Sequence, residues 1–197
     1  MIAIQIRAKI PVVQTPSKPI TLEEFLELAE TKPASEYFDG QIIQKPMPQG
    51  QHSIIQAEII VMLTLALKKT GIATPFPELR CTFANRSIVP DIAVFKNSRI
   101  PRTESGDIAN NFTTAPDWTI EILSPAQSTT KVLKNITHCL KHGSQMGWLI
   151  DPEERSILVC QSGSELRIID ETKASLPLPE FASVIKLTVG DIFDCLR

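Results

Sequence analysis

Several common sequence features are missing from this chain, and each absence excludes a class of protein. The four cysteines among 197 residues are widely spaced and form no C-x-x-C pair, which argues against a zinc site or a disulfide framework. No run approaches the roughly 18 to 20 apolar residues of a membrane-spanning helix, and the N-terminal segment lacks the features of a signal peptide. There is no glycine-rich phosphate loop, so we expect no nucleotide cofactor. These absences favour a cytoplasmic protein with no membrane partner.

The chain also has no excess of basic residues. Its 20 Lys and Arg stand against 22 Asp and Glu, which gives a net charge of −2 and a pI near 5.9. This balance argues against a protein that coats nucleic acid by charge alone, but it permits an enzyme that handles nucleic acid at one local site. Residues 96–102 and 131–142 are basic, although either stretch is equally well explained as a solvated surface.

Periodicity and turn residues predict a mixed α/β domain. A capping box of Thr21 and Glu24 begins a first helix, and Asp39-Gly40 marks a hairpin. Two longer helices are predicted at 52–70 and 128–142, the first of them largely buried. Strands are predicted at 79–84, 87–96 and 116–123 and in three segments between 147 and 170. We predict one domain over residues 21–197, preceded by an arm at residues 1–20.

Two acidic residues stand on strands that are otherwise apolar. Asp91 follows Pro90 in IVPDIAVF (88–95), and Glu121 lies in PDWTIEILSP (116–125). A buried carboxylate must be compensated. If the two strands are neighbours, the carboxylates converge into a site suited to Mg²⁺ or Mn²⁺, which would activate water for attack on a phosphodiester. The alternative is that each acid caps a turn or pairs with an arginine such as Arg80 or Arg86.

Three further residues are candidates for such a site. A lysine would orient the attacking water and offset negative charge on phosphorus, and Lys131, at the start of the 128–142 helix, is the candidate; otherwise it is an exposed helix lysine. Glu36 either adds a third carboxylate or forms a salt bridge beside the hairpin. His52 either orients a phosphate or a metal-bound water, or caps its helix.

Several of these segments together resemble the Uma-two family of endonucleases, within the PD-(D/E)xK phosphodiesterase superfamily. They are TLEEFLELAE (21–30), SEYFDG (35–40), His52, VPDIAVF (89–95), PDWTIEILSP (116–125) and GWLIDP (147–152). The resemblance implies a restriction-endonuclease-like core, a mixed sheet with flanking helices and an N-terminal helix-hairpin extension. It also implies Mg²⁺-dependent cleavage of DNA, with the two acids of the family at Asp91 and Glu121 and supporting groups at Glu36 and His52.

The chain departs from the family pattern at the lysine. In the superfamily a lysine stands two residues after the second acid, where this chain has Leu123. Family members carry the lysine on the following helix, where this chain has Asn135, with Cys139 at the position of a tyrosine. Lys131 lies one helical turn before Asn135 on nearly the same face. We therefore predict that Lys131 supplies the missing charge.

These residues predict a metal-dependent DNA endonuclease in which Asp91 and Glu121 bind Mg²⁺ or Mn²⁺ and Lys131 stabilises the transition state. Two alternatives stay open. One is a degenerate nuclease fold that binds DNA or dimerises without catalysis, which the missing lysine favours. The other is a metal-dependent RNA or nucleotide phosphodiesterase, which would use the same chemistry. Because cutting both strands of a duplex favours two-fold symmetry, we expect a homodimer.

Overall fold

A computed structural model describes residues 19–125 and 127–197 of the chain. The mixed α/β architecture predicted from the sequence is confirmed, with two sheets and four α-helices in the described residues. The strands are β1 (Ser35–Phe38), β2 (Gln41–Gln44), β3 (Ala73–Pro77), β4 (Cys81–Phe83), β5 (Arg86–Ile88), β6 (Ile92–Lys96), β7 (Trp118–Ile122), β8 (Met146–Asp151), β9 (Ser156–Gln161) and β10 (Arg167–Ile169). The helices are α1 (Leu22–Leu26), α2 (Gly50–Leu63), α3 (Thr129–Lys141) and α4 (Val189–Phe193). Most of the predicted N-terminal arm, residues 1–18, lies outside the described residues.

The larger sheet has six strands in the order β10-β9-β8-β7-β6-β3. Strands β7 and β8 are parallel, and all other neighbours in this sheet are antiparallel. Helix α3 makes the crossover between β7 and β8, and it covers one face of the sheet through Val132 and Ile136. Helix α2 covers the other face. The central strands β7 and β8 are therefore enclosed on both sides, which agrees with their nearly continuous apolar sequence.

Helix α2 is the central helix of the core. Its buried residues Ile55, Ile59 and Leu63 recur at helical spacing and pack with Trp118 and Ile120 of the sheet. A π-helical turn, Thr64–Lys68, continues it. The continuous segment from Gly50 to Lys68 is long and apolar enough to cross a membrane by length and composition, contrary to the expectation from the sequence. Its buried face nevertheless packs within the domain core.

The smaller sheet has the order β2-β1-β5-β4. The predicted hairpin is confirmed: β1 and β2 are antiparallel and joined at Asp39-Gly40, where both residues have positive φ. Gly φ values in this region carry no steric cost. Phe83 and Ile88 of this sheet pack against Phe95 on the α3 side of the larger sheet. The hairpin is thereby held beside α3.

Two strand predictions were wrong. The segment 87–96 forms two strands instead of one, because the chain leaves the smaller sheet after Ile88 and enters the larger sheet at Ile92. The sequence reading also omitted β3, which contains Pro75 and Pro77. Proline is tolerated at a sheet edge because it cannot donate to a second neighbour, and β3 is an edge strand. Asp91 consequently lies at the point where the chain passes from one sheet to the other.

Candidate active site

Asp91 and Glu121 lie side by side at one end of neighbouring strands. Strands β6 and β7 are antiparallel with Ile92 opposite Ile120, and continuing this register by one residue places Asp91 opposite Glu121. Each acid is 3% exposed. The prediction that the two strands are neighbours is therefore confirmed, and the two carboxylates enter one buried polar cluster.

Asp91 is the more completely bonded of the two acids. Its Oδ2 accepts a hydrogen bond from the amide of Ile122 at 2.7 Å and lies 3.1 Å from Nε2 of His52. Its Oδ1 accepts a 2.7 Å bond from Nζ of Lys45. Burial raises the pKa of Asp91, but the charge of Lys45 and the contacts from His52 outweigh burial and lower this pKa to about 2. Asp91 is therefore ionised at neutral pH.

Glu121 is buried but poorly bonded. Its Oε2 lies 3.5 Å from Nζ of Lys45, and its Oε1 has no hydrogen-bond partner within the described residues. Burial raises the pKa of Glu121 well above its ordinary value, and the negative charges of Asp91 and Glu36 add to this against the attraction of Lys45. A further cation beside Oε1 would offset both effects.

The positive charge at these acids comes from Lys45, which the sequence reading missed. Its Nζ donates to Asp91 and to the carbonyl oxygen of Val89, both at 2.7 Å, and also contacts Glu121. The side chain is 14% exposed. Burial lowers the pKa of Lys45, but the carboxylates of Glu121, Asp91 and Glu36 outweigh it and raise this pKa above the ordinary value. The ammonium therefore stays charged between two carboxylates.

A pattern in the hairpin could have revealed Lys45. Glu36 pairs with Ile43 across the hairpin, and the amide of Lys45 bonds to the carbonyl of Ala34 at 2.9 Å. Because side chains alternate along paired strands, Glu36 and Lys45 project to the same face. A lysine and a glutamate on one face of a predicted hairpin, next to a third candidate acid, were thus visible in the sequence.

Glu36 joins the cluster but has no free oxygen. Its Oε1 accepts a bond from the amide of Val89 at 2.8 Å, and its Oε2 accepts one from Nδ2 of Asn135 at 2.9 Å. The carboxylate is 8% exposed. Asn135, at the position of the family's helix lysine, therefore bonds to Glu36. This geometry makes Glu36 a positioning residue for the backbone of Val89, whose carbonyl holds Lys45.

The first turns of α2 bring two side chains to Asp91. His52 contacts the Asp91 carboxylate, and Nε2 of Gln56 donates to the Asp91 backbone carbonyl at 2.8 Å. His52 is 5% exposed, and its Nδ1 has no partner in the described part of the chain. His52 therefore lies at the acids, as predicted, while Gln56 was not anticipated.

The structure does not bring Lys131 to the acids. Lys131 is exposed on α3, and in the described residues it forms no ion pair with a carboxylate. Leu123, at the superfamily's lysine position, packs against Val132 and Leu149 in an apolar cluster. Lys45 replaces Lys131 as the lysine beside the acids. The prediction failed because helical proximity to Asn135 does not turn Lys131 into the buried cluster.

The arginine alternative for the two acids was also wrong. Arg80 donates to the carbonyl of Ser35 at 3.1 Å and to Oγ of Ser87 at 3.0 Å. Arg86 contacts the exposed carboxylate of Asp39 at 3.5 Å. Neither guanidinium is bonded to Asp91 or Glu121, so these arginines stabilise the hairpin region instead.

The donor set at the acids fits a hard divalent cation. No group of three or more His, Cys, Asp or Glu side chains in the described residues is arranged to hold a metal, so protein ligands would be limited to Asp91 and Glu121. Mg²⁺ is commonly held by one or two carboxylates with water completing its shell. The buried, unpartnered Oε1 of Glu121 provides the free oxygen that such an ion requires.

The acids are reached from solvent through a cavity of about 580 Å³ lined by Asp91, Lys45 and His52, among others. Residues 22–190 of the chain match the Uma2 family, described as "Putative restriction endonuclease". The chain belongs to the Uma2 family. A comparison with curated proteins finds no match.

A solved structure supports the same relationship for this Uma2 protein. The chain is similar to a crystal structure from Anabaena variabilis ATCC 29413, determined at 1.96 Å and described as a putative nuclease belonging to DUF820. The two share 59% sequence identity with a TM-score of 0.89, over 91% of this chain and all of the other. The restriction-endonuclease-like fold predicted from the sequence is confirmed, and this Uma2 chain has the fold and family of a nuclease-type hydrolase.

Proposed function

We propose that this Uma2 protein is a divalent-metal-dependent endonuclease that hydrolyses phosphodiester bonds in DNA. One observation carries the proposal: two buried carboxylates on adjoining strands share the ammonium of Lys45, while Oε1 of Glu121 has no partner in the described residues. Buried acids in an unsatisfied arrangement are typical of functional sites and rare in a purely structural core.

Asp91 and Glu121 would hold Mg²⁺ or Mn²⁺. The bound ion would supply a hydroxide nucleophile near neutral pH and neutralise charge on the phosphodiester. Asp91 is prepared for this role because His52, Lys45 and the amide of Ile122 keep its carboxylate ionised and fixed. Glu121 contributes the oxygen that lacks a partner.

Lys45 would stabilise the negative charge that builds on the phosphoryl oxygens. Its contact with Glu121, at 3.5 Å, is longer than its 2.7 Å contacts with Asp91 and Val89. The proton directed at Glu121 is therefore the one most easily turned to a phosphoryl oxygen. A fixed ammonium in a site shielded from water stabilises such charge more than it would in bulk water.

The chain's own lysine also bears on the non-catalytic alternative. Leu123 and Asn135 at the expected lysine positions were the observation that favoured a degenerate nuclease fold. Because Lys45 lies at the acids instead, that observation no longer favours the non-catalytic alternative. DNA as the substrate, a homodimer and a cytoplasmic location remain parts of the proposal.

Incubation of the purified chain with linear duplex, supercoiled and single-stranded DNA, with Mg²⁺ or Mn²⁺ and with EDTA, tests the proposal. We expect cleavage that requires the metal and is lost in Asp91→Asn and Glu121→Gln. Equal cleavage by both variants would identify a contaminating nuclease. An RNA-only activity would replace DNA with RNA as the substrate, and no cleavage of any of these substrates would favour the non-catalytic alternative.

A further inference from the structure

A second cavity adjoins the acids, and its wall carries lysines that the proposed reaction does not use. This hairpin cavity, of about 450 Å³, lies between the β1–β2 hairpin and the first half of α3. Glu36, Lys45 and Asn135 form part of its wall. Lys45 also lines the cavity that contains Asp91. A ligand in the hairpin cavity would therefore lie directly beside the reacting groups.

The free charge on this wall is positive. Lys131 and Lys134 are exposed, line the cavity and form no ion pair with the carboxylates of the described residues. The carboxylate in the wall, Glu36, has both oxygens bonded within the protein. The first turn of α3 contains no acidic residue. Two lysines without a protein counter-ion are thus presented to a ligand.

The outer end of the cavity is an aromatic ring flanked by cations. Nζ of Lys134 lies 5.8 Å from the ring centre of Phe38, and the guanidinium carbon of Arg86 lies 3.7 Å from it. Cation–π contacts of this kind keep a side chain near the ring. Phe38 therefore holds Lys134 at the cavity wall, which lowers the conformational entropy lost when a ligand binds there.

We propose that Lys131 and Lys134 bind the backbone phosphates of the nucleic-acid strand on one side of the bond to be cut. The inference rests on the proposed function in taking the occupant to be the substrate strand. Lys45 acts on the reacting phosphoryl group, whereas Lys131 and Lys134 contact phosphates next to it. The side-chain amides of Gln41, Gln44 and Gln127 complete a polar wall, which suits a sugar–phosphate backbone more than an apolar ligand.

Binding without cleavage separates this inference from the proposed reaction. A fluorescent duplex is titrated with protein in EDTA at several salt concentrations between about 50 and 200 mM, and anisotropy gives the affinity. The variant is Lys131→Gln with Lys134→Gln. The matched control is Lys68→Gln with Lys69→Gln, which removes the same charge from exposed positions roughly 27 Å away along the axis of α2, at 1.5 Å per residue. Thermal melting verifies that both double variants fold.

We expect the Lys131/Lys134 variant to bind at least about tenfold more weakly than wild type, and the salt slope to fall by about 1.4 to 1.8, as for two lost phosphate contacts. The control should change affinity and slope far less. Equal losses in both double variants, or wild-type affinity in the Lys131/Lys134 variant, would overturn the inference. If wild type binds no duplex at the lowest salt but binds inorganic phosphate through these lysines, the site belongs to a small anion and the inference is again wrong.

The cleavage assay keeps the two proposals distinct. Binding that depends on Lys131 and Lys134, without cleavage under any divalent ion, would support the phosphate contacts while removing the endonuclease. Metal-dependent cleavage with unchanged affinity in the Lys131/Lys134 variant would do the reverse.

Discussion

Nζ of Lys45 lies 2.7 Å from Oδ1 of Asp91, although 46 positions separate the two residues in the sequence. Lys45 follows a strand of the smaller sheet, and Asp91 precedes a strand of the larger one. The ion pair therefore joins the two sheets at the site. Because Lys45 also contacts Glu121, its removal would leave two neighbouring buried carboxylates without their counter-charge.

The first prediction concerns the position of the lysine. Lys45→Gln should lower the cleavage rate at saturating substrate by roughly 10²–10³-fold, the scale for losing one group that stabilises the transition state. Lys131→Gln should leave that rate nearly unchanged and raise the substrate concentration needed. Steady-state cleavage of a labelled duplex measures both quantities.

A rescue experiment sharpens this prediction. Asn135→Lys, added to Lys45→Gln, places a lysine at the family's helix position beside Glu36, which Asn135 already contacts at 2.9 Å. Part of the lost activity should return. Full activity in Lys45→Gln alone would show that the ammonium plays no part in the reaction.

The second prediction concerns metal binding. Mg²⁺ or Mn²⁺ should raise the melting temperature, since an ion that binds only the folded state at about 100 times its Kd adds about 2.7 kcal/mol to the free energy of unfolding. Asp91→Asn and Glu121→Gln should abolish this stabilisation. Glu36→Gln should retain it, because both oxygens of Glu36 are bonded within the protein. Loss of the effect in Glu36→Gln would instead make Glu36 a ligand.

The third prediction concerns pH in metal-free buffer. The pKa of Glu121 is raised by burial and by Asp91 and Glu36, so the folded state binds this proton more tightly than the unfolded state does. The stability it contributes is present below the unfolded pKa near 4.5 and is lost as pH rises through the folded pKa. Asp91, whose pKa is lowered to about 2, contributes in the opposite sense, and its stability is lost only as pH falls from about 4 towards 2.

Denaturant unfolding of wild type and Glu121→Gln in EDTA, from about pH 5 to pH 8, tests the sign. Wild type should lose stability across this range relative to Glu121→Gln, whose side chain does not titrate. A difference that stays constant or narrows with rising pH would contradict the raised pKa of Glu121.

The fourth prediction concerns the packing of α3 on the sheet. A Cβ added at Gly147 would clash with the side chain of Ile136 and press on Thr119. Gly147→Ala should therefore destabilise the fold by about 1–3 kcal/mol, the usual cost of overfilling a packed core. Gly50→Ala is the control, since a Cβ there meets nothing within 4 Å. Chemical denaturation of both variants measures the difference.

The sequence predicted the parts of the site that depend on local pattern. Asp91 and Glu121 were recognisable because a carboxylate on an apolar strand has to be compensated, and the capping box of Thr21 with Glu24 is present as predicted. The source of the compensating cation depends on which sheet each strand joins. Pairing of β1 with β5 brings the hairpin, and therefore Lys45, to the acids, and no periodicity along the chain encodes that pairing.

The break at Val89–Asp91 was also beyond a local reading. IVPDIAVF has the composition of one continuous strand, yet β5 pairs with β1 while β6 pairs with β3 and β7. Where a strand changes partners is decided by the competing sheets. Asn135 shows the same limit: the family pattern marked it as the site of a missing lysine, and the structure shows it bonded to Glu36.

The passage of the chain between sheets at Asp91 has a consequence for how the protein denatures. If the smaller sheet opened alone, Lys45 would leave and the two acids would repel each other inside the remaining core, so a half-open state is penalised. The two layers should then lose structure in one concerted step, with no stable intermediate. Amide hydrogens of Tyr37 in the hairpin and of Ile120 in the central strand should accordingly exchange with similar free energies of opening in native-state hydrogen exchange.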